Sequence, residues 1–229
     1  MVQHPHQHLA QVAASGFNKS LYVNALSRHF SDGVGTWDAT DFFLGKPVLL
    51  IAAGPSSERY AKDLVSFAQR KKATVLTINT VSAIPATSVD AVVTADANRI
   101  RFESNILHDL RKPVLAPVSC LPEDCTQRLV GLSLMDFGLR VAEGEFALSV
   151  NSCTLPYALS AVYGLAAALA GGAECVYTAG LDGYGPGDPR QKEMTESIEM
   201  LKSQANFKDR VVAITPTSYP IRQGSLYAL

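Results

Sequence analysis

The sequence predicts an α/β fold: a doubly wound, mostly parallel, Rossmann-like sheet with helices on both faces. Three observations predict it. From about residue 47 onward, short apolar runs of strand length alternate with runs of helix length. The first apolar run, PVLLIAA, is continuous, as a strand covered on both faces must be. Small polar residues and glycines follow the apolar runs, where βα turns belong.

Each element has its own signal. Before the alternation, NKSLYVNALSRHF spaces Leu21, Val23, Leu26 and Phe30 along one helical face, and SDGVGTWDATDFFLGK reads as loop and linker. Residues 1–45 are therefore expected to form a helical appendage and linker, with Trp37 pinning the linker to a body of residues 46–229. After PVLLIAA, SERYAKDLVSFAQRKK has helical spacing at Tyr60, Leu64, Phe67 and Ala68. ATVLTIN and VDAVVTAD are the second and third strands, ANRIRFESNILHDLRK a helix, and PVLAPVS a fourth strand. RLVGLSL and EFALSV are further strand candidates. LPYALSAVYGLAAALAGGA is a helix opened by Pro156 at an N1-like position and stopped by Gly-Gly. ECVYTAGLD is a strand, PRQKEMTESIEMLKSQANF an amphipathic helix and RVVAITP a last strand.

Composition narrows the function classes. The chain has 229 residues, 47% of them apolar, enough for one sizeable core. With 20 basic and 21 acidic residues the net charge is -1, so no strong positive field is available for a nucleic-acid backbone. No apolar run reaches the ~18 residues of a spanning helix. The opening MVQHPHQHLAQ is polar and lacks the apolar stretch of a signal peptide. Cys120, Cys125, Cys153 and Cys175 fit neither a disulfide framework nor a zinc pattern, so the expectation is a reducing, cytoplasmic setting and no structural metal.

Right-handed crossovers put the C-terminal ends of parallel strands on one edge of the sheet, where open α/β sheets bind ligands. The residues after each strand are therefore the candidates. Gly54, Pro55, Ser56 and Ser57 follow the first strand, Gly54 admitting a close approach and Ser56 or Ser57 capping a helix whose N–H groups suit phosphate. Asn79 follows the second strand and has both a donor and an acceptor for a base or sugar. Asp96 and Arg99 follow the third, Asp96 as an N-cap or ligand and Arg99, with Arg101, as a partner for phosphate or carboxylate. Asn151, Ser152 and Thr154 follow FALSV and are expected to face the ligand at a second helix start. Gly180, Asp182 and Tyr184 lie in GLDGYGPGD, a loop with four glycines in eight residues. Together these clusters predict a ligand with a phosphate and a polyol or base, such as a nucleotide. Mg²⁺ beside a diphosphate would turn to Asp96, Asp182 or Asp188, although no ligand spacing demands it.

The same stretches resemble known families. GKPVLLIAAGPS, LTINTV, VVTADANRIRFE, TAGLDGY and ITPTSY are similar, in that order, to the C-terminal module of HMG-CoA-lyase-like, 4-hydroxy-2-oxovalerate-type aldolases of polysaccharide gene clusters. SGFNKSLYVNALSRHF resembles the tail of such an aldolase, and the barrel domain itself has no counterpart here. LLIAAGPSSERYA and SCTLPYALSAVYGLAAALAGGAECVYTAGLDGY resemble the two hallmarks of the bacterial sialyltransferases that use CMP-sialic acid. The MptE-like pterin diphosphokinases share the Gly-Pro-Ser opening. These resemblances imply that Gly54, Pro55 and Ser56 face phosphate or ribose, Asn79 the base or sugar, Ser152 the nucleotide, and Asp182 with Tyr184 the ribose. Ala53 stands where the sialyltransferases have Asn, and their histidine after the second hallmark is missing, since His108 is the last histidine.

A transferase would then need Asp182, Asp188 or Glu193 as its base, Asp182 first. The leading expectation is a nucleotide- or nucleotide-sugar-binding domain associated with an aldolase-type or polysaccharide-biosynthesis enzyme. The alternatives are an active sialyltransferase-like or diphosphokinase-like transferase, and a structural or oligomerisation domain with a vestigial site. The Ala-rich helix 158–170 could pack against a second subunit in any of these.

Overall fold

The structure, a computed structural model, describes residues 33–185, 187–203 and 207–228. The helix expected at residues 18–30 lies outside them.

The predicted α/β class is what the chain adopts. Eight strands form one sheet: β1 (Pro47–Ile51), β2 (Thr74–Ile78), β3 (Ala91–Val93), β4 (Val114–Ala116), β5 (Leu134–Asp136), and later β9 (Cys175–Ala179), β10 (Val211–Ala213) and β11 (Arg222–Gln223). Their order is β11-β10-β9-β1-β2-β3-β4-β5, and every pairing is parallel. The chain builds outward from β1 to β5, then returns to lay β9 on the other side of β1. The β1/β9 junction is thus the topological switch point, the place where such sheets open a crevice at their strand ends.

Helices cover both faces. Alternate residues of the strands feed two cores, as period-two geometry requires. Leu49, Ile51, Val75, Val92 and Val114 meet α3 (Ala61–Lys71), α4 (Ala97–Leu110) and α5 (Glu123–Arg128) on one face. Val48, Leu50, Leu76, Val93 and Leu115 meet α6 (Ser160–Ala170) and α7 (Pro189–Lys202) on the other. Helix α6 is buried nearly all round, which explains its Ala-rich composition. A Cβ on its Gly164 would sit 3.2 Å from both Leu50 and Val93, so this glycine sets how closely α6 lies on the central strands.

Several elements differ from the sequence reading. SERYAKDLVSFAQRKK is two helices, α2 (Pro55–Arg59) and α3, broken at Tyr60, whose ψ of 17° leaves the helical basin. PVLAPVS is the three-residue β4 followed by a 3-10 turn at Val118–Cys120. EFALSV does not join the main sheet. Its core, β7 (Ala147–Ser149), pairs antiparallel with β8 (Ser152–Leu155), which also pairs in parallel with β6 (Gly138–Val141) in a separate three-stranded sheet. Pro156 consequently does not open the Ala-rich helix. It follows a strand, and α6 begins four residues later, at Ser160.

The linker is pinned as expected. α1 (Thr40–Phe43) buries Phe43, and Trp37 stacks edge-on against Phe42 and Phe43. The Trp37 N–H donates to the Asp136 carbonyl. The Asp136 carboxylate, buried at the end of β5, accepts from the backbone and hydroxyls of Thr36 and Ser119.

Candidate functional site

At the switch point, β1 and β9 stay paired beyond their strand ends: Ala52 N–H donates to Ala179 O and Gly54 N–H to Gly180 O, at 2.9 and 3.0 Å. This approach explains both glycines. A Cβ on Gly54 would overlap the Asp182 carboxylate and the Gly180 carbonyl, and one on Gly180, at φ +70°, would overlap the Ala52 carbonyl. Gly54 is not in a left-handed conformation. Its φ is -69°, and what it admits is a neighbouring strand end rather than a ligand.

The expected phosphate cradle is filled from within the chain. Gly54, not Ser56 or Ser57, is the N-cap of α2, with Pro55 at N1. Ser56 N–H and Oγ reach Asp182 Oδ2 at 3.2 and 2.9 Å, and Ser57 Oγ donates to Gly54 O. A carboxylate at the N-terminus of a helix satisfies its free donors as a phosphate would. Ser56 Oγ also lies 3.0 Å from Thr215 Oγ1, which accepts from Gly180 N–H at 3.0 Å. Ser56 has one hydroxyl proton and the carboxylate only accepts. With Ser56 donating to Asp182, the Thr215 hydroxyl donates to Ser56. The result is a directed chain from Gly180 through Thr215 and Ser56 to Asp182, tying together the ends of β1, β9 and β10.

Around this clasp the β9 loop is locked by the loop after β10. Ser218 N–H donates to Asp182 O, and Thr217 Oγ1 donates to Leu181 O. Gln191 Oε1 accepts from Tyr184 N–H while its Nε2 donates to Ser218 Oγ. Asp188 is the N-cap of α7 and pairs with Arg190, whose guanidinium lies 4.2 Å from the Tyr184 ring centre. Hydrogen bonding from Arg190 holds the Asp188 carboxyl below its ordinary range. Burial raises the Tyr184 phenol; Arg190 and Arg99 oppose the rise, and Asp188 and Asp96 add to it. Tyr219 is raised as well, chiefly by burial, with Tyr184, Arg190 and Asp188 in its field.

Asp96 and Arg99 follow β3, and Tyr184, Asp188 and Arg190 follow β9, so all five belong to the strand-end edge of the sheet. The charges of Asp96, Arg99, Asp188 and Arg190 act on the Tyr184 ring, and Ala53, after β1, is exposed. Asp96 is the N-cap of α4, accepting from Asn98 and Arg99 N–H. Arg99 pairs with Glu103, whose other oxygen accepts from the Thr80 N–H and hydroxyl. Arg101 turns away to Asp124. Asn79, left-handed at φ +55°, holds its backbone against β3, and its buried Oδ1 has no partner.

Asn151, Ser152 and Thr154 are not part of this cluster. The Asn151 carbonyl accepts from Gly35 and Gly138 N–H, Ser152 Oγ meets Ser149 Oγ, and Thr154 Oγ1 accepts from Arg140. They build the small sheet and hold the linker on it, because the segment read as a helix start is a β-hairpin. Sequence reading passed over Thr215, Arg190, Tyr219 and Glu103. The signal for Arg190 was present in Asp188-Pro189-Arg190, a helix start with a counter-charge. Nothing local marks Thr215, which lies 159 residues from Ser56.

Among the described residues no cluster of His, Cys, Asp or Glu is suited to a metal ion, and no helix is long and apolar enough to cross a membrane. Comparison with protein-family models, with curated proteins and with solved structures gave no match.

Proposed function

We propose that this domain binds a nucleotide or nucleotide-activated sugar on the strand-end edge of the sheet, beside Tyr184 and between the ends of β3 and β9. The observation that carries this reading is the Arg190 guanidinium of α7, 4.2 Å from the ring centre of Tyr184, which is 40% exposed, with the charge of Arg99 from α4 reaching the same ring. Two guanidiniums suit a phosphate or diphosphate, and an exposed aromatic ring beside them suits a base. Asn79, at the end of β2, which lies between β3 and β9 in the strand order, carries a buried Oδ1 without a partner among the described residues, an acceptor that a base amino group or sugar hydroxyl would satisfy. Asp182 acts here as a structural clasp, since one of its oxygens is committed to Ser56. The resemblance to the aldolase-attached module gives the binding a purpose, selecting substrate for an enzyme of glycan biosynthesis.

Thermal denaturation with CMP, CDP, UDP or a CMP-sugar at 1 mM tests the reading. A ligand at a hundred times its Kd stabilises by about 2.7 kcal/mol. For a domain of this size that raises Tm by roughly 5–10 °C. Arg190→Ala and Arg99→Ala should each remove most of the shift. If no nucleotide moves Tm, the reading is wrong. Hydrolysis or transfer of the sugar by the wild-type chain would turn a binding domain into a transferase.

A further inference from the structure

A concavity lies on the same sheet edge, beside the Ser56–Asp182 clasp and lined in part by Thr215. It is a cleft of about 390 Å³ between the α2–α3 break at Tyr60, the loop Ile214–Thr217 and the segment Gln223–Tyr227. Its volume falls in the roughly 300–1,000 Å³ range of small-molecule sites. Its chemistry is the opposite of the Tyr184 site's, because no lining residue carries a charge. The walls offer hydroxyls, a carboxamide, backbone groups and two tyrosine rings.

Two features suit it to a ligand of polar edges and apolar faces. Tyr227 is 69% exposed yet fixed at both ends: its hydroxyl donates to Asp63 at 2.9 Å and its backbone N–H to Ser225 Oγ at 3.2 Å. An exposed ring held in one orientation is a stacking platform that loses little entropy on binding. Gln223 is likewise pre-set. Its Nε2 donates to the carbonyls of Ala213 and Thr215, at 3.0 Å each, which fixes the carboxamide and leaves Oε1 to accept from a ligand. The cations beside the cleft are already engaged, Arg59 over the Tyr60 ring and Arg70 with the Leu226 carbonyl, and neither is part of the lining. A sugar ring, with C–H faces for the tyrosines and hydroxyls for Gln223 and Thr217, matches the lining.

We propose that this cleft is a binding site for a neutral saccharide, separate from the nucleotide site proposed beside Tyr184. The cleft does not depend on the nucleotide site being occupied. Saturation-transfer NMR on the full chain, with maltose, lactose, cellobiose, sucrose and N,N′-diacetylchitobiose as probes, tests it. At least one should receive saturation from the wild-type protein. Tyr227→Ala should weaken that binding at least tenfold, while Tyr227→Phe, which keeps the ring, should hold it within about threefold. Arg190→Ala should leave it unchanged. No transfer to any of these sugars, or equal transfer with Tyr227→Ala, overturns the proposal. So does transfer confined to glucuronic or sialic acid. Loss of nucleotide binding with saccharide binding retained would refute the nucleotide site and leave the cleft standing.

Discussion

Gly54 and Gly185 carry the same side chain in opposite circumstances. A Cβ on Gly54 would overlap the Asp182 carboxylate and the Gly180 carbonyl, whereas one on Gly185 meets nothing within 4 Å. Gly54→Ala should therefore push the β1 and β9 ends apart and cost about 1–3 kcal/mol, the usual range for overpacking. Gly185→Ala should stay within about 0.5 kcal/mol of wild type, as surface changes do. Urea denaturation of the two variants checks the contrast, and equal stabilities would mean that the strand ends do not meet as described. Asp182→Ala leaves the Ser56 donors without their carboxylate. The expected loss is about 1–3 kcal/mol, the cost of stranding a partly buried donor. The same titration reads it.

Helix α7 starts on a charged cap. Asp188 accepts from Arg190 N–H and pairs with its guanidinium, and its pKa lies below the ordinary 3.8. A carboxyl depressed in the folded state contributes stability above its unfolded pKa and loses it as pH falls through the folded value. Asp188→Asn keeps a capping acceptor and removes the charge. The stability gap between wild type and variant should be constant from pH 7 to about 5, narrow once the unfolded carboxyl protonates near about pH 4, and close only as pH falls through the lower folded value. A gap that widens in acid would reverse the sign of this pairing. On α6, Gly164 touches Leu50 and Val93 through an absent Cβ. Gly164→Ala brings better helix propensity but forces those two side chains to move. In thermal melts the variant should therefore fall short of the roughly 1 kcal/mol that Gly→Ala gains in an unhindered helix, because the tips of Leu50 and Val93 must give way; the full gain would mean that α6 does not lie as close as described.

Over the whole molecule, two cores share one sheet and the linker is fastened to both sheets through Asp136 and Asn151. Trp37 is the only tryptophan and sits in that linker. Its fluorescence should therefore change at the same urea concentration as the far-ultraviolet circular dichroism. A separate, earlier Trp37 transition would show the linker to be a detachable appendage. The fold class was legible because parallel strands buried on both faces must be continuously apolar, and because helix and strand periods differ. The candidate site was half legible. Asp96, Arg99 and Tyr184 follow strands, so topology brings them to one edge. Asn151, Ser152 and Thr154 also follow an apolar run, but a hairpin and a βα turn look alike over so few residues.

Local sequence determined the strands at the centre of the main sheet, the polar groups at their ends and where the Gly-Gly stop falls, because these follow from periodicity and side-chain chemistry within a few residues of one another. RLVGLSL, read as a strand, contributes only Leu134 to β5, and SCTL, read as a helix start, is β8. Tertiary structure alone decided what fills the Gly-Pro-Ser-Ser turn. Asp182 lies 126 residues away from Ser56, and only the parallel pairing of β1 with β9 brings its carboxylate to that helix start. The anion the turn was built to hold is, in this chain, one of its own.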